Sequence, residues 1–235
     1  MKPKLLLFAL LLLFAFKSFA QETIQVEDKL TPDVTIKYNV LSSDKKTMQG
    51  LYQAFYKKKT PVASGKYENG KRAGTWHFFD KTGKPVEHFN YTTMMLTYEA
   101  PDDTTGGAEF RYMIDANFTS SKDVFTKPIR IGGRYFGYLP YMNLFRLPRE
   151  YTSADVDVFN RNKLTYMELL ISPAGRLADY RVHVSTPYGE RILQVNINKL
   201  SDEDRQFAPA TLNGQEIASR IIIPCMIGGS GRLIF

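Results

Sequence analysis

Two stretches of this chain align without a gap, and that repeat restricts the fold more than any other feature of the sequence. Gly50-Leu-Tyr-Gln-Ala-Phe-Tyr-Lys-Lys-Lys-Thr-Pro-Val-Ala-Ser-Gly-Lys-Tyr67 matches Gly74-Thr-Trp-His-Phe-Phe-Asp-Lys-Thr-Gly-Lys-Pro-Val-Glu-His-Phe-Asn-Tyr91 at an offset of 24 residues. Tyr52 falls on Trp76, Phe55 on Phe79, Pro61-Val62 on Pro85-Val86 and Tyr67 on Tyr91. A period in the twenties marks stacked supersecondary units, none of which buries its apolar face alone. Each copy holds two short aromatic-rich runs around turn residues, which predicts a β-hairpin. Strand alternation puts Trp76 and Phe78 on one face and His77 and Phe79 on the other. Val34–Val40 alternates in the same way and predicts a half-buried strand, with a turn at Ser42–Lys46.

The composition agrees with a folded, β-leaning chain. Of the 235 residues 43% are hydrophobic and 23% charged, which excludes disorder as the default. Aromatic residues make up 13%, mostly Tyr and Phe, and favour strands.

Residues 1–20 read as a cleaved secretory signal. Lys2 and Lys4 precede the apolar run Leu5–Phe16, and Ser18-Phe19-Ala20 supplies small residues for a peptidase, leaving Gln21 first. The run is too short for a transmembrane anchor, which needs about 20 residues. The mature chain is therefore expected in the periplasm or outside the cell. Without Lys2, Lys4 and Lys17 the formal net charge falls from +7 to +4. Lys57-Lys58-Lys59 and Lys71-Arg72 read as solvated turn tips, so no nucleic-acid partner is expected. The single Cys225, in an apolar run between Pro224 and Met226, reads as a small buried residue rather than a nucleophile.

The C-terminal part is organised around Leu164–Val184, where two β-rich arms flank the turn Ser172-Pro-Ala-Gly175. Pro101–Gly107 is a polar breaker cluster and predicts a linker at residues 101–107 between a hairpin region (21–100) and an α+β region (108–235). Within the latter, Ile129–Gly133 reads as a strand end and turn. Tyr135–Leu147 reads as a short helix interrupted at Pro140 and stopped by Pro148. Ile192, Val195, Ile197 and Leu200 fit a helix over part of Tyr188–Leu200. Asn213-Gly214 predicts a tight turn, and Ile217–Ile227 a further strand.

Two resemblances follow from these motifs. Gly65-Lys-Tyr-Glu-Asn-Gly-Lys-Arg-Ala-Gly-Thr-Trp76 resembles the MORN-like repeats of the YwqK-type antitoxin family. Tyr166–Ile171, Ser172–Gly175, Leu177–Val184, the helix of the Ile192–Leu200 region, Phe207-Ala-Pro209, Asn213-Gly-Gln-Glu-Ile217 and Ile223-Pro-Cys-Met-Ile227 together resemble the C-terminal domain of TonB-type energy transducers. The combination behind a signal peptide looks like exported proteins of Bacteroidetes. It implies an α+β fold, with antiparallel β-hairpin repeats followed by a small TonB-like domain whose helices pack on an antiparallel sheet. That domain's binding mode implies a sheet edge able to accept an extended peptide. Tyr166, Ile217, Ile221 and Ile223 are its candidate partner-binding residues, and the implied partner is an envelope protein such as an outer-membrane receptor. The chain lacks the Pro-rich spacer of a force-transmitting member.

Chemistry-bearing residues are sparse. His77 and His88 lie eleven apart in different strands, short of the convergent set a metal needs, and no metal or other cofactor is expected. Asp102-Asp103 and Asp202-Glu203-Asp204 read as solvated turn or cap residues. Gly132-Gly133 and Gly228-Gly229-Ser230-Gly231 lack the context of a phosphate loop. No catalytic spacing emerges, and a non-enzymatic binding protein is expected. The alternative is a glycan-binding module that exposes Tyr52, Trp76 and Phe79 on the hairpins. Core packing is the preferred reading on the Trp76 side.

Overall fold

The repeat folds as four consecutive strands of one sheet. The computed structural model describes residues 21–101, 110–116, 120–161, 165–186 and 189–234. The signal segment therefore lies outside the described residues, as does the linker except for Pro101. Strands β1 (Thr23–Lys29), β2 (Val34–Leu41), β3 (Met48–Tyr56), β4 (Thr60–Glu68), β5 (Lys71–Phe79), β6 (Pro85–Asn90) and β7 (Met95–Glu99) form an antiparallel meander in that order.

The offset of 24 holds at the level of individual pairs. Tyr52 faces Gly65 as Trp76 faces Phe89, and Phe55 faces Pro61 as Phe79 faces Pro85. The register slips at Ala54/Phe55 in one copy and at Phe78/Phe79 in the other. Asn69-Gly70 closes the turn between the copies with φ of 50° and 79°, the positive pair a tight hairpin turn requires.

Strand β8 (Arg111–Ile114) and the short pieces β9 (Phe125–Thr126) and β10 (Ile129–Arg130) follow. Helices α1 (Leu139–Leu144) and α2 (Ser153–Arg161) come next, and they are the only α-helices among the described residues. Pro140 does not interrupt α1. It lies in the first turn, where its missing N–H has no intrahelical partner to lose. Thr152 and Asp155 cap α2 reciprocally, each side chain meeting the other's backbone N–H.

The remaining elements are β11 (Tyr166–Ile171), β12 (Leu177–Thr186), β13 (Gly189–Gln194), β14 (Phe207–Ala208), β15 (Ala210–Leu212), β16 (Gln215–Ile217), β17 (Ser219–Pro224), β18 (Met226–Ile227) and β19 (Leu233–Ile234). Five of the strands make a sheet of order β13-β12-β11-β17-β8, antiparallel throughout. The predicted turns at Ser172–Gly175 and Asn213-Gly214 both form. The helix expected within Tyr188–Leu200 does not. Gly189–Gln194 pairs with β12 instead, and only Ile197–Lys199 makes a single 3-10 turn. The chain is thus mainly antiparallel sheet with two short helices.

The helical layer lies between the two large sheets. Phe136 meets Tyr52 and Phe78 of the seven-stranded sheet, with ring centroids 6.4 and 5.9 Å away. Tyr141 on α1 meets Tyr180 of the five-stranded sheet at 5.8 Å. One hydrophobic core therefore runs from Val34 to Leu233 across both regions.

Charged groups are built into this junction. Arg72 is not a solvated turn residue: its guanidinium lies over the rings of Trp76 and Tyr91 and reaches Glu203 at 3.2 Å. Glu203 and Asp204, expected in solvent, are in fact paired: Glu203 ties the halves together through Arg72, and Asp204 holds Arg130 within the C-terminal half. Glu87 from β6 is only 2% exposed and accepts hydrogen bonds from the N–H groups of Gly132 (2.7 Å) and Gly133 (3.1 Å). Both glycines have positive φ, and a Cβ on Gly133 would lie 2.8 Å from Val86. The Gly-Gly pair is an internal carboxylate cradle.

Burial pushes the Glu87 carboxyl up from 4.5 to about 7, against the opposing pull of the two N–H groups and Arg130. A raised folded-state value means the native protein binds the proton more tightly than the unfolded chain. This stabilising contribution is complete below pH 4.5 and is lost as pH rises through 7, by roughly 3 kcal/mol in all. Denaturant titrations of the wild type and Glu87→Gln between pH 4.5 and 7.5 check this. The variant is expected to lack that part of the downward slope, and equal slopes would refute the assignment.

Candidate functional site

The outer face of the five-stranded sheet gathers the polar chemistry of the C-terminal region. Along β11, Met167, Leu169 and Ile171 are buried on the helix side, while Tyr166, Glu168 and Leu170 point away. The register then assembles outward-facing rows. Ile192, His183, Tyr166 and Pro224 form one, and Gln194, Arg181, Glu168, Ile222 and Arg111 the next.

His183 and Glu168 are the centre of this face. The His183 Nε2 lies 2.8 Å from Glu168, and the Arg220 Nε lies 3.2 Å from the other Glu168 oxygen. Tyr166 stacks flat on the His183 ring, with centroids 4.4 Å apart and planes within 11°. Its hydroxyl donates to Glu190 of β13 at 2.9 Å. Burial and this bond to a carboxylate push the Tyr166 hydroxyl up to about 12. The His183 Nδ1 lies 3.3 Å from the same Glu190 but is not aligned for a hydrogen bond. Arg220 also holds Asp115 at 3.1 Å, beyond β8. The adjoining depression, lined by Glu168, Leu170, Asp179, Arg181 and Arg220, measures about 40 Å³ and has room for little beyond water. Both nitrogens of His183 face carboxylates. Chemically, the network clamps β13 to the sheet.

The strand clamped in this way is an open edge. β13 has β12 on one side and no strand on the other among the described residues, and Ile192 at its centre is 54% exposed. The residues predicted from sequence are distributed differently. Tyr166 is half-buried on the outer face. Ile221 and Ile223 are fully buried in β17, which is paired on both sides by β11 and β8 and offers no edge. Ile217 is half-buried in β16, in a separate small sheet. The strand that closes the expected edge, β8, comes from just after the linker, a pairing across more than a hundred residues.

The aromatic platform is also absent. Tyr52 and Trp76 are buried against Tyr67 and Phe136, and Phe79 is half-buried, so the two central rings face the core. The Trp76 indole N–H is spent on the Lys66 carbonyl at 3.1 Å. Cys225 is buried, and burial pushes its thiol up to about 12, which suits a packing residue. A cleft of about 380 Å³ beside α2 is lined by Leu147, Tyr151, Val156, Asn160 and Ile227, among others. Its Asn160 is committed, since the side chain exchanges both hydrogen bonds with the Ile227 backbone. Among the described residues no helix is long and apolar enough to cross a membrane, and no group of three or more His, Cys, Asp or Glu could hold a metal ion.

Comparison with known protein families, curated proteins and solved structures finds no match to this chain.

Proposed function

We propose that this chain is an exported cell-envelope protein that captures an extended segment of a partner protein as an added strand beside β13. The observation that carries the reading is the backbone of that edge. The Val195 N–H bonds inward to the Tyr180 carbonyl, so strand alternation turns the N–H and C=O groups of Glu190, Ile192 and Gln194 outward. Strand addition uses such groups for affinity and the alternate side chains for specificity. Here the side chains are Glu190, Ile192 and Gln194 on the outer face. The longer edge β1 ends in Glu27-Asp28-Lys29, a charged run of the kind that protects edges from pairing. The likeness of Tyr166–Ile227 to the C-terminal domain of TonB-type transducers supports the reading and favours an outer-membrane receptor as partner. The likeness draws on the strands β11, β12 and β17, while β13 stands where a helix was expected.

Ile192→Pro tests the mechanism. Proline at this position removes an outward donor and blocks the edge without touching the bonds to β12, and edge strands tolerate it. The thermal midpoint of the full chain is expected to stay within a few degrees, while partner capture from envelope extracts weakens by about tenfold or more. Proteins retained equally by the wild type and by a folded Ile192→Pro chain would rule out strand addition at this edge.

A further inference from the structure

The two histidines of the N-terminal sheet, His77 exposed and His88 half-buried, are unrelated to the β13 edge and are direct cross-strand partners. His77 on β5 faces His88 on β6, and the ring centroids are 4.4 Å apart with the planes nearly perpendicular, at 79°. Neither imidazole has a hydrogen-bond or ion-pair partner among the described residues, in contrast to His183, which is committed to Glu168. Beyond His88, the ring of Tyr98 follows at 5.0 Å. The row continues on the other side through Ser64 and Gln53 to Lys37, and its one carboxylate, Glu27, lies four strands from His77 and is paired with Lys37.

We propose that His77 and His88 form a two-histidine chelate for a late first-row divalent ion, copper(II) foremost. Imidazole nitrogen is the ligand type these ions select, and copper(II) heads the affinity order for a given set of nitrogen ligands. Two neutral donors leave the ion's charge uncompensated, so water completes the coordination and binding is moderate and reversible. The backbone beneath is rigid. Trp76, Phe78, Glu87 and Phe89, the residues flanking both histidines in sequence, are all buried in the core. Rotation of two short side chains is the only ordering required, and a chelate on a preorganised frame gains affinity from the second ligand as an effectively local one.

The test is copper(II) titration of the full chain by calorimetry and electron paramagnetic resonance in a non-coordinating buffer, beside His77→Gln and His88→Gln. Both substitutions fall on the solvent face, and unchanged thermal midpoints without metal verify the folds. The proposal expects one ion per chain, hyperfine coupling from two imidazole nitrogens, and about a tenfold or larger loss of affinity in each variant. It is overturned if the wild type shows no saturable binding, or if either His77→Gln or His88→Gln binds copper(II) as the wild type does, which would locate the ion elsewhere.

Discussion

Gly65→Ala is expected to destabilise the protein by about 3 kcal/mol, close to a hundredfold in the folded-to-unfolded ratio. A Cβ at this position would lie 2.2 to 2.4 Å from three atoms of the Trp76 indole, far inside contact distance. The indole has nowhere to go. It is 0% exposed, with Tyr52 and Tyr67 each 5.3 Å away, Phe78 at 6.1 Å and the Arg72 guanidinium at 4.8 Å. Its N–H is also fixed on Lys66. Gly74→Ala is the natural comparison, because φ there is +62° but nothing lies within 4 Å of the added carbon. That change is expected to cost about 1 kcal/mol through backbone strain alone. Chemical denaturation measures both. Trp76→Phe in the Gly65→Ala background should recover part of the loss, giving a coupling between the two sites. A Gly65→Ala chain as stable as the wild type would show that the ring does not lie over the glycine.

Arg130→Ala is expected to cost about 3–5 kcal/mol, the penalty for removing one partner from a buried, hydrogen-bonded charge cluster. Arg130 is 4% exposed and lies over the rings of Tyr141 and Phe207. Its Nε donates to Gly137 at 3.0 Å, one Nη to the Gln206 carbonyl at 2.9 Å and the other to Asp204 at 3.2 Å. Three acceptors on two separate segments therefore lose their donor at once. Arg130→Lys separates charge from geometry, because an ammonium keeps the charge but not the planar fork. It should recover less than half of the loss in denaturant titrations. Full recovery by lysine would mean that charge alone holds the junction.

The N-terminal sheet was legible because its determinants are local. A repeat of 24 residues carries its strand pairing with it, so that Tyr52–Gly65 and Trp76–Phe89 occupy equivalent positions. One place where the copies differ is informative: Gly65 stands where the second copy has Phe89, since the Trp76 ring fills that space. The Asn213-Gly214 turn was legible for the same local reason, with φ of 54° and 79°. The segment after β12 was misread because Ile192, Val195, Ile197 and Leu200 fit a helical spacing, and a six-residue edge strand with a wet outer side has little periodicity of its own. Pairing with β12 overrode that spacing.

The candidate site was legible only in part. Tyr166 was identified, but Glu168, His183, Glu190 and Arg220 were not, because their contacts depend on the pairing of four strands. One signal was available: Tyr166 and Glu168 share a face of a strand in which every other position is apolar.

By itself the sequence determined the hairpins, the tight turns and which alternate residues of each strand face inward, since these follow from chemistry within a few positions of the chain. Tertiary structure alone decided which edge stays open and which charges are buried. β8 returns to pair with Ser219–Ile222 of β17, so that among the described residues the sheet ends at β13 on one side and at β8 on the other. Arg72, Glu87 and Arg130, unremarkable in sequence, become buried ties only where the two sheets close over the helical layer. Their environment is set by segments dozens of residues away, and no local pattern encodes a neighbour at that distance.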